Sequence, residues 1–379
     1  MISPRSLVET FSTNNVRFFT GVPDSLLKNF CAYVTDSCGD NHVIAANEGG
    51  AVALASGHYL ATGHPALVYM QNSGQGNAVN PLCSLADPDV YSIPMLLLVG
   101  WRGEPGTKDE PQHVKQGKVT IPLFETLGIP TYVLSNEEAV ALRQTQAAIQ
   151  QAVLESRPVA LVVRKGIMAE YHLQHRNPDI SLQSREQTIE MIVKEYGHEA
   201  VFVSTTGKIS RELYEIRVRL GQDHTRDFLT VGSMGHASMI ALGIARSYPH
   251  QLVICIDGDG ASIMQMGNMA ILGQSGCANL LHIVLNNAAH DSVGGQPTVG
   301  GAISLPEIAR ACGYCVASFL PGVHVSAMGH PVFMEIRVAK GSRPDLGRPK
   351  EAPQENKSLF MQTLAKMHAA HSHPAAGGA

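Results

Sequence analysis

Short, continuous apolar runs recur along the chain and alternate with segments that have helical spacing, such as Gly50–Thr62 and Glu137–Glu155. Continuous apolar runs are typical of strands buried on both faces of a parallel sheet, since half-exposed strands alternate apolar and polar positions. The pattern therefore predicts an α/β protein with open, doubly wound parallel sheets. The predicted strands are Val43–Ala46, Ala66–Met70, Met95–Val99, Val159–Val163, Ala200–Ser204, Leu252–Ile256 and Leu280–Leu285.

One polar stretch without clear periodicity, Lys165–Arg185, divides the chain into two parts. A length of 379 residues also suggests two domains, because domains usually span about 100–200 residues. We predict a first domain over 1–170, a linker over 171–190 and a second domain over 191–365. The low-complexity end predicts a disordered tail over 366–379.

Charge and composition exclude some classes of protein. The 28 basic and 32 acidic side chains give a net charge of −4, which argues against a general nucleic-acid-binding protein. No apolar run reaches the ~18 residues of a membrane span, and the first residues lack the apolar stretch of a signal peptide. The odd, scattered set of 7 cysteines favours reduced thiols. We therefore predict a cytoplasmic protein with no membrane or nucleic-acid partner.

The strongest chemical signal follows two predicted strands of the second half. One strand ends in Asp257-Gly258-Asp259-Gly260, and the next ends in Asn286-Asn287. Carboxylate and amide oxygens suit a hard cation such as Mg²⁺, and glycines let the backbone approach a phosphate closely. Either dipeptide alone is typical of an ordinary turn. Together, after two buried strands, they favour a metal and phosphate site at the edge of the sheet.

The sequence Gly258-Asp259-Gly260, followed after 25 residues by Asn286-Asn287, resembles the metal and diphosphate motif of thiamine diphosphate enzymes. The resemblance implies that Asp259, Asn287 and the carbonyl group of Ala289 bind Mg²⁺. It also implies that the cofactor contacts the backbone at four positions. These positions are Gly207, Gly258, Gly260 and Ala261.

The same resemblance implies a glutamate in the first domain that hydrogen-bonds N1′ of the aminopyrimidine. Glu48 matches it, since Asn47-Glu48-Gly49-Gly50 follows a predicted strand and precedes a helix. An isolated glutamate there would be explained as a favourable charge in the first helical turn. In the segment 232–235, Met234 matches the apolar residue that bends the cofactor, and the Gly232 carbonyl matches the acceptor for its 4′-amino group.

Longer segments are similar to the phosphonopyruvate decarboxylase group within this family. The segments are 21–27, 71–82, 100–117, 204–215 and 286–298, and the resemblance covers about 15–340. It implies two doubly wound domains of the thiamine diphosphate-binding fold, a pyrimidine-binding and a diphosphate-binding domain, without a middle domain. It also implies decarboxylation of 3-phosphonopyruvate to 2-phosphonoacetaldehyde and CO₂. Sulfopyruvate decarboxylase and a non-catalytic thiamine diphosphate-binding subunit stay open as alternatives.

Further residues are candidates within these motif loops. Asp24, His113 and His290 are candidates for proton transfer, with Glu48 as the catalytic acid at N1′. A substrate with a carboxylate and a phosphonate needs local cations, because the chain is net acidic. The candidate cations are Arg102, Lys108, Lys115, Lys118 and Lys208.

Two consequences of the resemblance concern the assembly and the cofactor loop. Family members bind the cofactor between domains of different chains, which implies a homo-oligomer with active sites at the subunit interface. Gly50 lies where the family commonly has Asn, and Ala288 lies where it commonly has Gly. If position 288 needs a positive φ, its β-carbon would strain the backbone there.

Overall fold

The computed structural model describes residues 1–174, 182–318 and 328–372 of the chain. These residues form two compact units: 1–174 with Ser292–Gln296, and the remaining described residues. Each unit contains one six-stranded sheet, and all the strand pairs are parallel. The fold class predicted from the apolar runs, two α/β units with parallel sheets, is confirmed.

The sheet of the first unit is buried on both faces. Along its third strand, Leu67 and Tyr69 belong to one apolar core, and Val68 and Met70 belong to another. Its strand order is β2-β1-β3-β4-β6-β5. The strands are β1 (Phe19–Gly21), β2 (His42–Ile44), β3 (Ala66–Gln71), β4 (Met95–Gly100), β5 (Thr131–Val133) and β6 (Pro158–Val163).

The sheet of the second unit has the same two-sided burial. Ile254 and Ile256 belong to one core, whereas Val253 and Cys255 belong to the other. Its strand order is β11-β12-β10-β9-β7-β8. The strands are β7 (Val201–Ser204), β8 (Asp227–Leu229), β9 (Val253–Gly258), β10 (Leu280–Asn286), β11 (Cys315–Val316) and β12 (Val332–Arg337).

Helices connect the strands, and their ends follow local sequence signals. Asn47 caps α3 because its side chain accepts a hydrogen bond from the Gly50 amide at 2.8 Å, and Gly63 ends the helix at φ 71°. The helices of the first unit are α1 (Pro4–Thr13), α2 (Lys28–Ser37), α3 (Glu48–Thr62), α4 (Gln75–Pro81), α5 (Pro111–Thr126) and α6 (Glu138–Glu155).

The second unit begins with a reciprocal cap, in which the side chains of Ser184 and Gln187 each bond the other's backbone amide. Its helices are α7 (Arg185–Tyr196), α8 (Lys208–Arg219), α9 (Ala237–Ser247), α10 (Asp259–Met264), α11 (Gly267–Gly273), α12 (Leu305–Cys312) and α13 (Pro353–Ser372).

Two of the predicted domain boundaries, at 190/191 and at 365/366, fall within helices. Helix α7 begins at Arg185, within the segment 171–190 that the sequence predicts as a linker. Helix α13 extends to Ser372, beyond residue 366 where the tail is predicted to begin. The rest of both segments, 175–181 and 373–379, lies outside the described residues, and the boundaries stay predictions.

Two further findings concern the membrane and the thiols. Within 1–174, 182–318 and 328–372, no helix is both long enough and apolar enough to cross a membrane. The seven cysteines are free, and only Cys31 and Cys255 are fully buried.

Candidate functional site

The order of the strands predicts where a ligand binds. In the first sheet, β2 lies on one side of β1 and β3 lies on the other, and in the second sheet β8 and β9 lie on the two sides of β7 in the same way. The direction of the strand order therefore switches between β1 and β3 and between β7 and β9. Open α/β sheets bind ligands at the carboxyl ends of the strands beside such a switch point. Asp24 follows β1 and Asp259 follows β9, so candidate residues of both units lie at these ends.

Glu48 is the first residue of α3, and its carboxylate is buried, with 5% of the residue exposed. Asn77 Nδ2 donates a hydrogen bond to Glu48 Oε2 at 2.7 Å. A β-carbon at Gly74 would lie 2.2 Å from Glu48 Oε1, so a larger residue there would displace the carboxylate. The fold therefore holds Glu48 in a fixed position after β2.

Asp24 is fully buried at the end of β1. Gln71 Nε2 donates to its Oδ1 at 2.7 Å, and two backbone amides donate to its Oδ2 at 3.0 and 3.3 Å. A β-carbon at Gly100, at the end of β4, would lie 2.0 Å from Oδ2. Burial raises the pKa of Asp24, although the hydrogen bonds and the charge of Arg102 oppose that shift.

Arg102 is paired within its own loop. Its Nε and Nη2 donate to the two carboxylate oxygens of Asp109 at 2.8 and 2.5 Å, and Nη1 donates to Ser25 Oγ at 2.7 Å. Burial would raise the pKa of Asp109, but hydrogen bonds from Arg102 and two backbone amides hold it well below its usual range. The guanidinium group is therefore committed to a carboxylate of the protein.

His113 lies in the first turn of α5 and is buried. Burial, followed by the charge of Arg102, lowers its pKa to about 4. Its Nδ1 is buried and has no hydrogen-bond partner among the described residues. The ring is therefore neutral near pH 7, and one nitrogen is left for a ligand. The charge of Arg102 acts on both candidates, since it opposes the rise in the pKa of Asp24 and adds to the fall in the pKa of His113.

In the second unit, Asp259 is the first residue of α10 and is only 2% exposed. The hydroxyl group of Thr298 donates to Asp259 Oδ2, and the backbone amides of Asn287 and Gly260 donate to the same carboxylate. Burial raises the pKa of Asp259. A carboxylate this deeply buried is costly unless a positive charge or hydrogen bonds compensate it.

The two consecutive asparagines after β10 differ in their partners. Asn286 Nδ2 donates to the Gly300 carbonyl at 2.7 Å and to Glu335 Oε1 at 2.6 Å, so both of its donors bind the protein. Asn287 Nδ2 donates to Asp291 Oδ2 at 2.7 Å, and its Oδ1 accepts from the Ala289 amide at 3.1 Å. Asn286 braces the loop, whereas Asn287 lies beside Asp259 through its backbone amide.

The next three residues complete this loop. Ala288 has φ 52°, which is the conformation expected to be strained for alanine. Ala289 is buried and forms a bridge with Pro297. The ring of His290 lies against Gly260, where a β-carbon would be 3.1 Å from its Cε1. Burial lowers the pKa of His290 to about 4, so its ring is also neutral near pH 7.

The remaining cofactor candidates lie in turns at the same end of the second sheet. Gly207 has φ 98° and precedes α8, and Gly232 and Met234 lie in the turn between β8 and α9. Both residues of that turn are half-buried. Gly258 ends β9, and Ala261 is buried in α10.

The candidate lysines lie on surfaces of both units. Lys208 is the first residue of α8 and is half-buried. In the first unit, Lys108 lies in the loop before α5, and two others lie on that helix; these three are exposed. The two on the helix are Lys115 and Lys118.

Comparisons with known proteins decide the family. A model of the N-terminal binding domain of thiamine pyrophosphate enzymes matches 4–121, and a model of their C-terminal binding domain matches 205–336. A phosphonopyruvate decarboxylase of Streptomyces viridochromogenes is 31% identical, covering 100% of this chain and 99% of that protein. The chain belongs to the thiamine pyrophosphate-dependent decarboxylases.

Two further relatives are also decarboxylases by name. A phosphonopyruvate decarboxylase of Streptomyces hygroscopicus is 32% identical over 96% of this chain and 94% of that protein. A sulfopyruvate decarboxylase of Methanosarcina acetivorans is 29% identical over 81% of each. The similarity to the two phosphonopyruvate decarboxylases thus extends over more of this chain than the similarity to the sulfopyruvate decarboxylase does.

The residues of this decarboxylase fit the thiamine diphosphate and the divalent cation that the sequence predicts. A carboxylate, an amide oxygen and a carbonyl oxygen form a donor set that suits a hard divalent cation. A β-carbon at Gly300 would lie 2.6 Å from Asp259 Oδ2 and 3.1 Å from Asn286 Oδ1, so glycine keeps this space open. In the first unit, Glu48 offers a buried carboxylate to a polar group of a ligand.

The sequence did not reveal the residues that hold the candidates in place. Asn77 holds Glu48, Gln71 holds Asp24, and Thr298 holds Asp259. All three lie inside the motif segments 71–82 and 286–298, which was the available signal. Their roles depend on contacts between residues far apart in the chain, which spacing alone does not predict.

Proposed function

We propose that this decarboxylase converts 3-phosphonopyruvate to 2-phosphonoacetaldehyde and CO₂ with thiamine diphosphate and Mg²⁺. One observation supports it above the rest: the chain is similar along its full length to a phosphonopyruvate decarboxylase. It also has Glu48, Asp259 and Asn287 in the motifs that resemble those of thiamine diphosphate enzymes. Bound thiamine diphosphate supplies the electron sink that decarboxylation of a 2-oxo acid requires.

The chain's own residues have separate tasks in this proposal. Glu48 holds a proton at N1′ of the aminopyrimidine, and its burial keeps that hydrogen bond away from water. Asp259, Asn287 and the Ala289 carbonyl hold Mg²⁺ against the diphosphate. The backbone at Gly207, Gly258, Gly260 and Ala261 contacts the cofactor, and Gly232 and Met234 orient it.

Proton transfer to the substrate is assigned to three groups. His113 and His290 are neutral near pH 7, because burial lowers both pKa values to about 4, so each can donate or accept one proton. Asp24 has a pKa raised by burial, which favours its protonated form relative to an exposed aspartate.

The substrate's carboxylate and phosphonate need local cations. Arg102 donates to Asp109 from Nε and Nη2 and to Ser25 from Nη1, which favours a role in holding the loop near Asp24. We assign the phosphonate to one or two of the candidate lysines of the motif loops, Lys108, Lys115, Lys118 and Lys208, each of which acts as a point charge. A homo-oligomer and a cytoplasmic location stay predictions.

A second candidate function is decarboxylation of sulfopyruvate, which the similarity to the Methanosarcina acetivorans enzyme favours. A sulfonate carries one negative charge where a phosphonate carries up to two, so fewer cations would be needed. The two functions differ in substrate and share all the cofactor residues.

The test compares kcat/KM for CO₂ release from 3-phosphonopyruvate and sulfopyruvate, with the cofactor and Mg²⁺ present. We expect the larger value for 3-phosphonopyruvate. Glu48→Gln should lower kcat at least ~100-fold, the lower scale for a positioned proton-transfer group. Glu137→Gln, at an exposed site before α6, is the matched control and should keep full activity.

Other outcomes would each change the proposal. A larger kcat/KM for sulfopyruvate would replace the substrate. Cofactor binding without CO₂ release from either acid would support the non-catalytic binding subunit. A fully active Glu48→Gln variant would remove Glu48 from the mechanism.

A further inference from the structure

A buried ionic cluster lies next to Asn287, on the side of its NH₂ group. Arg185, the first residue of α7, donates from Nε and Nη2 to the two carboxylate oxygens of Glu212 at 2.7 and 2.8 Å. Its Nη1 donates to Asp291 Oδ2 at 3.0 Å. The side chains of Arg185 and Glu212 are 5% and 1% exposed. The side chain of Asp291 is 11% exposed, so the cluster is largely shielded from solvent.

One oxygen of Asp291 joins this cluster to the loop. Asp291 Oδ2 accepts from Asn287 Nδ2 at 2.7 Å, from Arg185 Nη1 at 3.0 Å and from the Gly341 amide at 2.9 Å. Three donors from different parts of the chain converge on a single atom, so that the position of Asp291 is strongly determined.

The chemistry of a carboxylate fixes the orientation of the amide. An ionised carboxylate only accepts hydrogen bonds, so it pairs with the NH₂ group of Asn287 and never with its oxygen. Asn287 Oδ1 therefore points away from Asp291. On that side the Ala289 amide donates to it at 3.1 Å, which leaves a second lone pair for a cation.

We propose that Asp291, held by Arg185 and Glu212, is the positioning residue that orients the Asn287 amide and thereby sets the divalent-cation affinity of the site. This inference rests on the proposed function, since it needs a cation at Asp259 and Asn287. Asp291 is not one of the proposed cation ligands, and it orients the site through Asn287.

Charge supports the same assignment. The carboxylate of Asp291 carries a negative charge next to the Asn287 amide. In a poorly solvated region a negative charge favours a nearby cation more than it would in water. Removing the charge of Asp291 should therefore weaken cation binding in two ways. The Asn287 amide is held less firmly in its orientation, and the electrostatic attraction of the cation by Asp291 is lost.

The test measures how cofactor binding depends on the Mg²⁺ concentration, by equilibrium dialysis of thiamine diphosphate with the full chain. For Asp291→Asn we expect the Mg²⁺ midpoint to rise at least ~10-fold, as outer partners of metal ligands typically change metal affinity by 10–100-fold. Cofactor binding at saturating Mg²⁺ should be recovered.

A matched control separates positioning from a general loss of stability. Arg217 and Asp227 form a second buried pair in the same unit, with Nε–Oδ2 and Nη2–Oδ1 distances of 3.0 and 2.8 Å. No described contact joins this pair to Asn287. Asp227→Asn should lower stability and leave the Mg²⁺ midpoint unchanged.

A second variant keeps the test informative if Asp291→Asn folds poorly. Arg185→Lys keeps the positive charge but loses the planar guanidinium group that binds both carboxylates. Its Mg²⁺ midpoint should therefore rise by a smaller factor than that of Asp291→Asn. An unchanged midpoint in both cluster variants would overturn the positioning role, as would an equal shift in Asp227→Asn. A wild-type chain that bound no cofactor with Mg²⁺ would overturn the proposed function, and this inference with it.

Discussion

Ala288 adopts a backbone conformation that is costly for any residue with a β-carbon. Its φ is 52°, and it lies between two candidate metal ligands, Asn287 and Ala289. Its amide donates to Asn286 Oδ1 at 2.9 Å, and its carbonyl accepts from the Thr298 amide at 3.1 Å. The left-handed region costs a non-glycine residue about 1–2 kcal/mol, so these bonds hold the loop against strain.

We predict that Ala288→Gly raises the free energy of unfolding by about 0.5–1 kcal/mol. The relief of strain exceeds the entropy that glycine adds to the unfolded chain, which is about 0.5–1 kcal/mol. Ala302, exposed and at φ −107°, is the matched control. Ala302→Gly should lower stability by about 0.4–1 kcal/mol in the same urea titration. Equal losses in both variants would show that position 288 is not strained.

Single residues of the site were predictable where their chemistry is visible in the sequence. Asp259 and Asn287 directly follow buried strands, and Glu48 begins the helix after β2, so a motif marks each of them. The pairing of Arg102 with Asp109 was not predictable, because a loop cation looks the same in sequence whether it is free or neutralised. Burial of a charge and the identity of its partner are properties of the folded loop.

At the scale of elements, α5 is the helix whose position matters most for the first unit. It carries His113 and packs closely on the loop after β4. Trp101 Nε1 donates to the Gly117 carbonyl at 2.8 Å, and a β-carbon at Gly117 would lie 1.6 Å from the Gly103 carbonyl oxygen. Only glycine permits this approach of helix and loop.

We predict that Gly117→Ala lowers the free energy of unfolding by about 1–3 kcal/mol, the usual cost of overpacking, and also lowers kcat. Gly57→Ala is the matched control, since Gly57 lies in α3, is exposed and has nothing within 4 Å of an added β-carbon. That change should raise stability by about 0.5–1 kcal/mol, as expected for Gly→Ala inside a helix. A stabilised and active Gly117→Ala variant would contradict the packing argument.

Most strands were predictable because a long apolar run marks them. The seven predicted strands match seven observed ones within two residues at either end. Six of these have four to seven residues, whereas β2 has three and lies at the edge of its sheet. The missed strands include β1, β5 and β8, of three residues each, and β11, of two. Such short segments take their conformation from the neighbouring strand and have no pattern of their own. In β12, charged residues near its end hid the apolar run.

At the scale of the whole molecule, buried and half-buried histidines in both units favour a loss of stability in acid. Burial lowers the pKa values of His42 and His113 in the first unit, and of His290 in the second, to about 4. An unfolded histidine takes up its proton near pH 6.5. Between pH 6.5 and about 4 the unfolded chain therefore binds more protons, and these histidines reduce stability as the pH falls.

We predict that His113→Gln loses less stability than the wild type when the pH is lowered from 7 to 4.5. Buried aspartates with raised pKa values, such as Asp24 and Asp227, act in the opposite direction, but they are present in both proteins and cancel in the comparison. The exposed His250 supplies the control, and His250→Gln should follow the wild-type profile. Parallel profiles for His113→Gln and wild type in urea unfolding would refute the assignment.

Numbered within each unit, the strands of both sheets run in the order 2-1-3-4-6-5. The two units therefore have the same path of the chain but carry their acids at different places along it. One carries a buried acid after its second strand, at Glu48, and the other carries a buried acid after its third, at Asp259. The position of each acid is thus a property of the loop that carries it and does not follow from the order of the strands.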